Sequence, residues 1–283
     1  MKKIKRMPNP ERRKLLMVEG LMLLAAAFWF IPIYYLIVTT VKTPQDATLN
    51  PLGLPGAWVF DHYRSAWTNM QYPRALGNTV FITAAAVTLV VLLGTMAGYA
   101  LARTRTPFGN AVFLFFLAGL MVPFQMNVIS LYRIVKSLSL MNTMYAVILV
   151  DVAINLPQTI FLAKEFVEST IPMELEEAAN IDGCGVPRKF ALIVLPLLKP
   201  VISTIAIVVT LNVWNEFLTP LLFIQSRQNG VILQEVSRNI GQFSTDWTAM
   251  FPMLMLGVAP LMCFYVFMQK YIIGGVTAGA VKG

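Results

Sequence analysis

Long charge-poor apolar runs decide what this chain can fold into. A bilayer-crossing helix needs about 20 predominantly apolar residues. Runs of that size occur at Gly20 to Val41, Ala75 to Ala102, Thr106 to Tyr132 and Trp247 to Gln269. Two more, Thr143 to Ala163 and Val201 to Phe223, are each interrupted by one acid, Asp151 and Glu216. With 57% hydrophobic and only 13% charged residues, the composition points the same way. Unpaired amides in hydrocarbon cost several kcal/mol each, and the alternation of a barrel strand is absent. The expected fold is therefore all-α with six transmembrane helices, at about 18–41, 77–102, 108–132, 143–165, 198–223 and 248–271. A basic tail over 1–16 precedes a single membrane domain over 17–273, and a tail over 274–283 follows it.

Lysine and arginine set the orientation. Lys2, Lys3, Lys5, Arg6, Arg12, Arg13 and Lys14 precede the first run, Arg103 and Arg105 follow the second, and Lys164, Arg188 and Lys189 follow the fourth. The alternate loops carry fewer. The positive-inside rule then places both termini and the loop over 166–197 in the cytoplasm. The net charge of +8 is the imprint of this topology and of anionic lipid, not of nucleic-acid binding. The first run is too long for a secretory leader and lacks an A-x-A-like cleavage site.

Catalytic machinery is missing from the pattern. His62 stands alone, without companions of metal-ligand spacing. No G-x-x-x-x-G-K-[ST] loop is present, so ATP and Mg²⁺ would have to be bound by a partner, and no cofactor is expected in this chain. Cys184 and Cys263 lie in a loop and within the last run, so no disulfide is expected.

Between the fourth and fifth runs lies E-A-A-N-I-D-G-C-G-V-P-R-K-F-A-L-I-V-L-P-L-L-K-P, from Glu177 to Pro200. Pro172 suits a first helical turn, Glu174 places negative charge at the positive helix end, and Gly183 fits a left-handed stop. The result is a short helix with apolar Met173, Leu175, Ala178 and Ile181 beside an acidic edge. Ala178 and Ala179 would admit a close protein surface, and Glu177 could meet an arginine there. Helices that lie on lipid are usually basic, and this one is acidic.

The pattern Glu177-Ala178-Ala179, Asp182-Gly183, Phe190, Leu195-Pro196 and Pro200 resembles the EAA loop of binding-protein-dependent ABC importer permeases. Further along, Gly98 to Arg103, Leu131-Tyr132, Leu140 to Thr143, Trp214 to Phe217 and Gly275 to Gly283 are similar to the MalG-like carbohydrate subunits. Cys184 departs from the commoner Ala, and the outer loop before the second helix is short for members carrying a periplasmic insertion. The resemblance implies a heteromeric importer in the bacterial or archaeal cytoplasmic membrane. Its parts would be this permease, a second homologous permease, two ATPase subunits and an external sugar-binding protein. Glu174, Glu177, Ala178, Ala179, Asp182 and Gly183 would belong to a coupling helix that docks on one ATPase, and 277–283 is similar to tails that reach the ATPase dimer interface.

For the substrate path, ionisable residues at membrane depth tend to face a bundle interior or water-filled cavity. Asp151 and Asn155 share one helix face; Asn212, Asn215, Glu216 and Thr219 share another. Carboxylates and amides suit sugar hydroxyls, though the same groups could instead bond neighbouring helices. Trp214 is a further candidate, for ring stacking. Other readings are an importer of glycerol phosphate or another polyol derivative, an ion-coupled secondary transporter, and a membrane scaffold. A phosphate would favour a basic cavity, the acidic cytoplasmic helix has no task in an ion-coupled transporter, and a scaffold would not explain two polar stripes inside spanning helices.

Overall fold

The computed structural model describes residues 9–104, 106–240 and 246–280, with side chains described between 13 and 269. Among them there are helices and no strand. The fold is that of an all-α polytopic membrane protein. Four helices are long and apolar enough to cross a bilayer alone: α1 (Asn9–Thr39), α4 (Tyr72–Arg103), α7 (Met144–Thr170) and α14 (Trp247–Ala280). Short helices α2 (Pro44–Leu49) and α3 (Asp61–Asn69) fill the first connection. Within the region read as one domain, internal contacts divide the chain into two compact units, one from residues 1–69 and 239–256, the other from 70–238 and 257–283.

Two expected single helices are broken. Residues 106–132 form α5 (Pro107–Leu120) and, after a 3₁₀ turn, α6 (Val128–Ser137), bent by 97°. Pro123 stands at the break, where its missing amide and ring prevent continuation. The run over 201–223 ends as α11 (Lys199–Asn215) and restarts as α12 (Leu218–Phe223). Pro220 would clash with the carbonyl of Glu216 in a continuous helix. Glu216 is extended instead, and its Oε1 accepts the amides of Leu218 and Thr219 at 2.8 and 3.0 Å. Before α11 come α8 (Met173–Ile181), α9 (Val186–Lys189), a π turn over Phe190–Val194 and α10 (Leu195–Leu197). The stretch Val186–Leu197 meets α11 at 78°.

Both ends of the chain are more helical than expected. The basic tail read over 1–16 already enters α1 at Asn9, and the tail read over 274–283 is helical to Ala280. Ala278 and Ala280 are strong helix formers that offset the glycines around them. Residues 281–283 of that tail and Lys2 to Arg6 of the basic cluster lie outside the described residues.

In the unit containing α1, Lys42 is fully buried and donates from Nζ to the carbonyls of Asn50 (2.5 Å) and Pro51 (3.2 Å), beyond the C-terminal end of α2. That end carries partial negative charge. His62, the lone histidine, bonds the Lys42 carbonyl at 3.0 Å through Nε2. The ring thus fixes the connection between α1 and α3.

The other unit is built on α4 and α7, its most extensively packed pair. Ala86, Val90, Val147, Val150, Val167, Ile205, Val209 and Phe223 belong to one buried cluster. The G-x-x-x-G at Gly94 and Gly98 faces α7, where small residues let two helices approach closely. A Cβ at Gly98 would lie 2.6 Å from Ala163 Cβ and 3.0 Å from the Lys164 backbone nitrogen. Gly98→Ala is expected to cost about 1–3 kcal/mol of overpacking. Gly77→Ala, on the same helix with nothing within 4 Å of its Cβ, is expected to be neutral or to gain about 0.5–1 kcal/mol. The thermal unfolding midpoint of the purified protein in detergent distinguishes them; equal midpoints would refute close packing at Gly98.

Candidate functional site

Asp151, Asn155, Asn212, Asn215 and Glu216 line one cavity of about 380 Å³. The first two come from α7, one turn apart, and the others from the last turn of α11 and the break after it. Asn155 Nδ2 donates to the Asp151 carbonyl (2.8 Å), and Asn155 Oδ1 accepts from Asn212 Nδ2 (3.0 Å), which ties the two helices across the wall. Asn215 Nδ2 turns back to the Leu211 carbonyl at 2.9 Å. Ile154, Leu211 and Val213 complete the lining, which contains two acids and no basic side chain.

Two sequence-derived candidates lie off this wall. Thr219 does not continue the stripe, because the helical register is lost; it is fully buried. Trp214 is also buried, and its indole N–H points at the Gly257 carbonyl, 3.4 Å away, so its ring serves packing. Behind the cavity is a space of about 10 Å³, one water molecule's worth, lined by Thr83, Asp151, Trp214 and Glu216 among others. Asp151 is only 2% exposed, and among the described residues neither its Oδ2 nor Thr83 Oγ1 has a hydrogen-bond partner. Thr83 was not legible as part of this wall, since a lone threonine in an apolar run carries no signal.

The acidic helix in the loop is α8, with Pro172 as its N-cap. Its end is a Schellman closure: Cys184 N–H bonds the Ala179 carbonyl, Gly183 N–H bonds that of Asn180, and Gly183 has φ +75°. Asp182 is the C-cap. Glu174, Glu177, Ala178, Asp182 and Gly183 are exposed together with Met173, Leu175 and Ile181. Ala179, expected beside Ala178 at a docking surface, is instead buried against its own chain.

The buried face also holds a residue that sequence reasoning passed over as a helix former. Glu176 is 7% exposed. It accepts from Arg103 Nε at 2.7 Å and from the Tyr99 hydroxyl at 2.6 Å, both at the end of α4. Arg103 Nη2 also donates to the Ile171 carbonyl at 2.8 Å. One carboxylate thus clamps α8 to the end of a membrane-length helix.

Residues 90–277, which include both the cavity's five polar residues and α8, match the sequence model of the family described as binding-protein-dependent transport system inner membrane component. The chain belongs to this family. It is 32% identical over 260 residues to the melibiose/raffinose/stachyose import permease protein MelC of Bacillus subtilis, covering 92% of this chain and 94% of MelC. It is 30% identical over 276 residues to the diacetylchitobiose uptake system permease protein NgcG of Streptomyces coelicolor, covering 97% of this chain and 91% of NgcG. A chain in the crystal structure of a bacterial ABC transporter involved in the import of the acidic polysaccharide alginate shares the fold. The TM-score is 0.82 at 19% identity, over 95% of this chain and 99% of that one. As a member of the binding-protein-dependent family, the protein is a multi-pass inner-membrane transport subunit of an ABC importer, not an enzyme.

This permease has one further polar centre. Glu235 on α13 (Ile232–Ile240) has a fully buried side chain, paired with Arg74 (3.0 Å), Arg227 (2.9 Å) and Arg238 (2.8 Å). Arg74 lies in the first turn of α4, so the carboxylate joins the start of that helix to the segment preceding α14. Thr79 Oγ1 adds a bond from the Ile232 amide at 3.0 Å. None of these partners is near Glu235 in sequence except Arg238 and Arg227, and the cluster was not anticipated.

Proposed function

We propose that this chain forms half of the translocation pathway of an ATP-driven importer of a carbohydrate, a di- or oligosaccharide. A second homologous permease would complete the pathway. Two cytoplasmic ATPase subunits bind ATP and Mg²⁺, and an external sugar-binding protein delivers substrate. In this reading the membrane is crossed six times, each bent pair counting as one crossing, with both termini and α8 in the cytoplasm. Glu174, Glu177, Ala178, Asp182 and Gly183 shape the surface that meets the ATPase, while Ala179 and Glu176 hold that surface in place.

The observation that carries the sugar reading is the convergence of Asp151, Asn155, Asn212, Asn215 and Glu216 on one cavity. Its amides give and take hydrogen bonds and its carboxylates accept them, which suits sugar hydroxyls that do both. The relatives named for melibiose, raffinose and stachyose import and for diacetylchitobiose uptake support the same substrate class. The absence of a basic side chain from the lining argues against a phosphorylated polyol, whose charge would go uncompensated.

Asn155→Leu and Asp151→Asn test the path. Each removes one or two polar contacts of about 1 kcal/mol each, so sugar uptake by the reconstituted importer is expected to fall about three- to thirtyfold. Binding-protein-stimulated ATPase activity should persist. Uptake at the wild-type rate in both variants would move the sugar path elsewhere.

A further inference from the structure

Beside the Arg103–Glu176 pair lies a second cavity of about 560 Å³, bounded by the end of α4 and by Val186–Phe190 after α8. Met96, Ala100, Pro187 and Phe190 make its wall mainly apolar. Three charged side chains reach it: Arg103, Glu176 and Lys189. The first two neutralise each other at 2.7 Å. Lys189 is only 8% exposed, and its ammonium makes no hydrogen bond or ion pair among the described residues. Its stem is packed and its ammonium opens into the cavity, which therefore presents one positive charge with no protein counter-charge.

The depth of the site identifies the anion. α4 has 32 residues, roughly 48 Å at 1.5 Å per residue, against a hydrocarbon core of about 30 Å and a bilayer of about 40–45 Å with headgroups. Centred on a bilayer, a helix of this length puts its last turn in the headgroup layer and Met96, 52% exposed and about two turns earlier, at the level of the acyl chains. A cationic head over an apolar floor, opening at that depth, matches one ligand class. We propose that this cavity binds an anionic glycerophospholipid, with the headgroup phosphate on Lys189 Nζ and an acyl chain along Met96, Ala100 and Phe190. The proposal is independent of the sugar path; its cavity shares Arg103 and Glu176 with the anchor of α8 but uses neither as a ligand for the lipid.

The test is native mass spectrometry of the complete purified importer, titrated with phosphatidylglycerol or phosphatidylcholine. The wild type is expected to retain one phosphatidylglycerol that Lys189→Met loses, that Lys189→Arg keeps, and that phosphatidylcholine does not replace. Met96→Trp fills the acyl end of the cavity without touching the charge and should cause the same loss, which covers the case that Lys189→Met does not assemble. Four results would overturn the proposal. They are equal lipid retention in the wild type and both loss variants, no preference for phosphatidylglycerol, displacement of the lipid by millimolar inorganic phosphate, and a partner-chain segment cross-linking to position 189 in the lipid-loaded complex. The first two remove a lipid site, the third makes it a free-phosphate site, and the last makes it a protein interface.

Discussion

Glu176→Ala is expected to leave the permease in the membrane but to lower binding-protein-stimulated ATPase activity by two orders of magnitude or more. Among the described residues the carboxylate is the one anchor between α8 and the end of α4 that combines charge with burial: Arg103 and Glu176 side chains are 15% and 10% exposed. Removing one member of such a pair typically costs about 3–5 kcal/mol, because the remaining charge is left uncompensated. At about 1.4 kcal/mol per factor of ten, the correctly docked position of α8 becomes a minor population. Tyr99→Phe removes only the neutral hydroxyl donor, for which about 0.5–1.5 kcal/mol, a severalfold loss, is expected. The graded order matters more than either number. Equal activity in wild type, Tyr99→Phe and Glu176→Ala would show that the orientation of α8 does not limit coupling.

Glu235→Ala is expected to destabilise the fold itself. Three guanidinium groups converge on a side chain with no solvent access, and deleting that carboxylate leaves them facing one another. The expected loss is again about 3–5 kcal/mol, read as a large fall in the thermal unfolding midpoint of the purified protein. Arg227→Gln should differ sharply. Its side chain is 46% exposed and two other arginines remain on Glu235, so a loss of about 1 kcal/mol or less is expected. Similar midpoints for the two variants would mean that the carboxylate is not the organising centre of the cluster.

The sequence disclosed what depends on neighbours along the chain and concealed what depends on distant ones. Apolar runs revealed the membrane helices because hydrocarbon imposes its demand residue by residue. The left-handed stop at Gly183 and the shared face of Asp151 and Asn155 were legible for the same reason, since caps and helical spacing are local rules. The bend after α5 was not, because prolines occur in both straight and broken helices here: α7 continues through Pro157, whereas the chain turns at Pro123. Glu176 looked like one more helix-forming acid beside Glu174 and Glu177. Its distinction comes from Arg103 and Tyr99, 73 and 77 residues away. Arg74 and Glu235 are 161 residues apart, and nothing in either surrounding sequence announces the pair. Lys189, useful only as a marker of loop orientation in the sequence, acquires its interest from burial. In Ala178-Ala179 the two residues read alike, and only packing separates the exposed one from the buried one.

In the proposed importer, α8 transmits nucleotide-driven motion to the membrane helices through its exposed acidic face. Binding-protein-stimulated ATPase activity of the reconstituted importer, wild type against Glu177→Lys, with assembly followed by co-purification, tests it most directly. Glu177 is exposed and makes no hydrogen bond or ion pair among the described residues, so its reversal spares the fold. The Lys variant is expected to lose stimulation or to fail to retain the ATPase. Unchanged stimulation with unchanged assembly would contradict it.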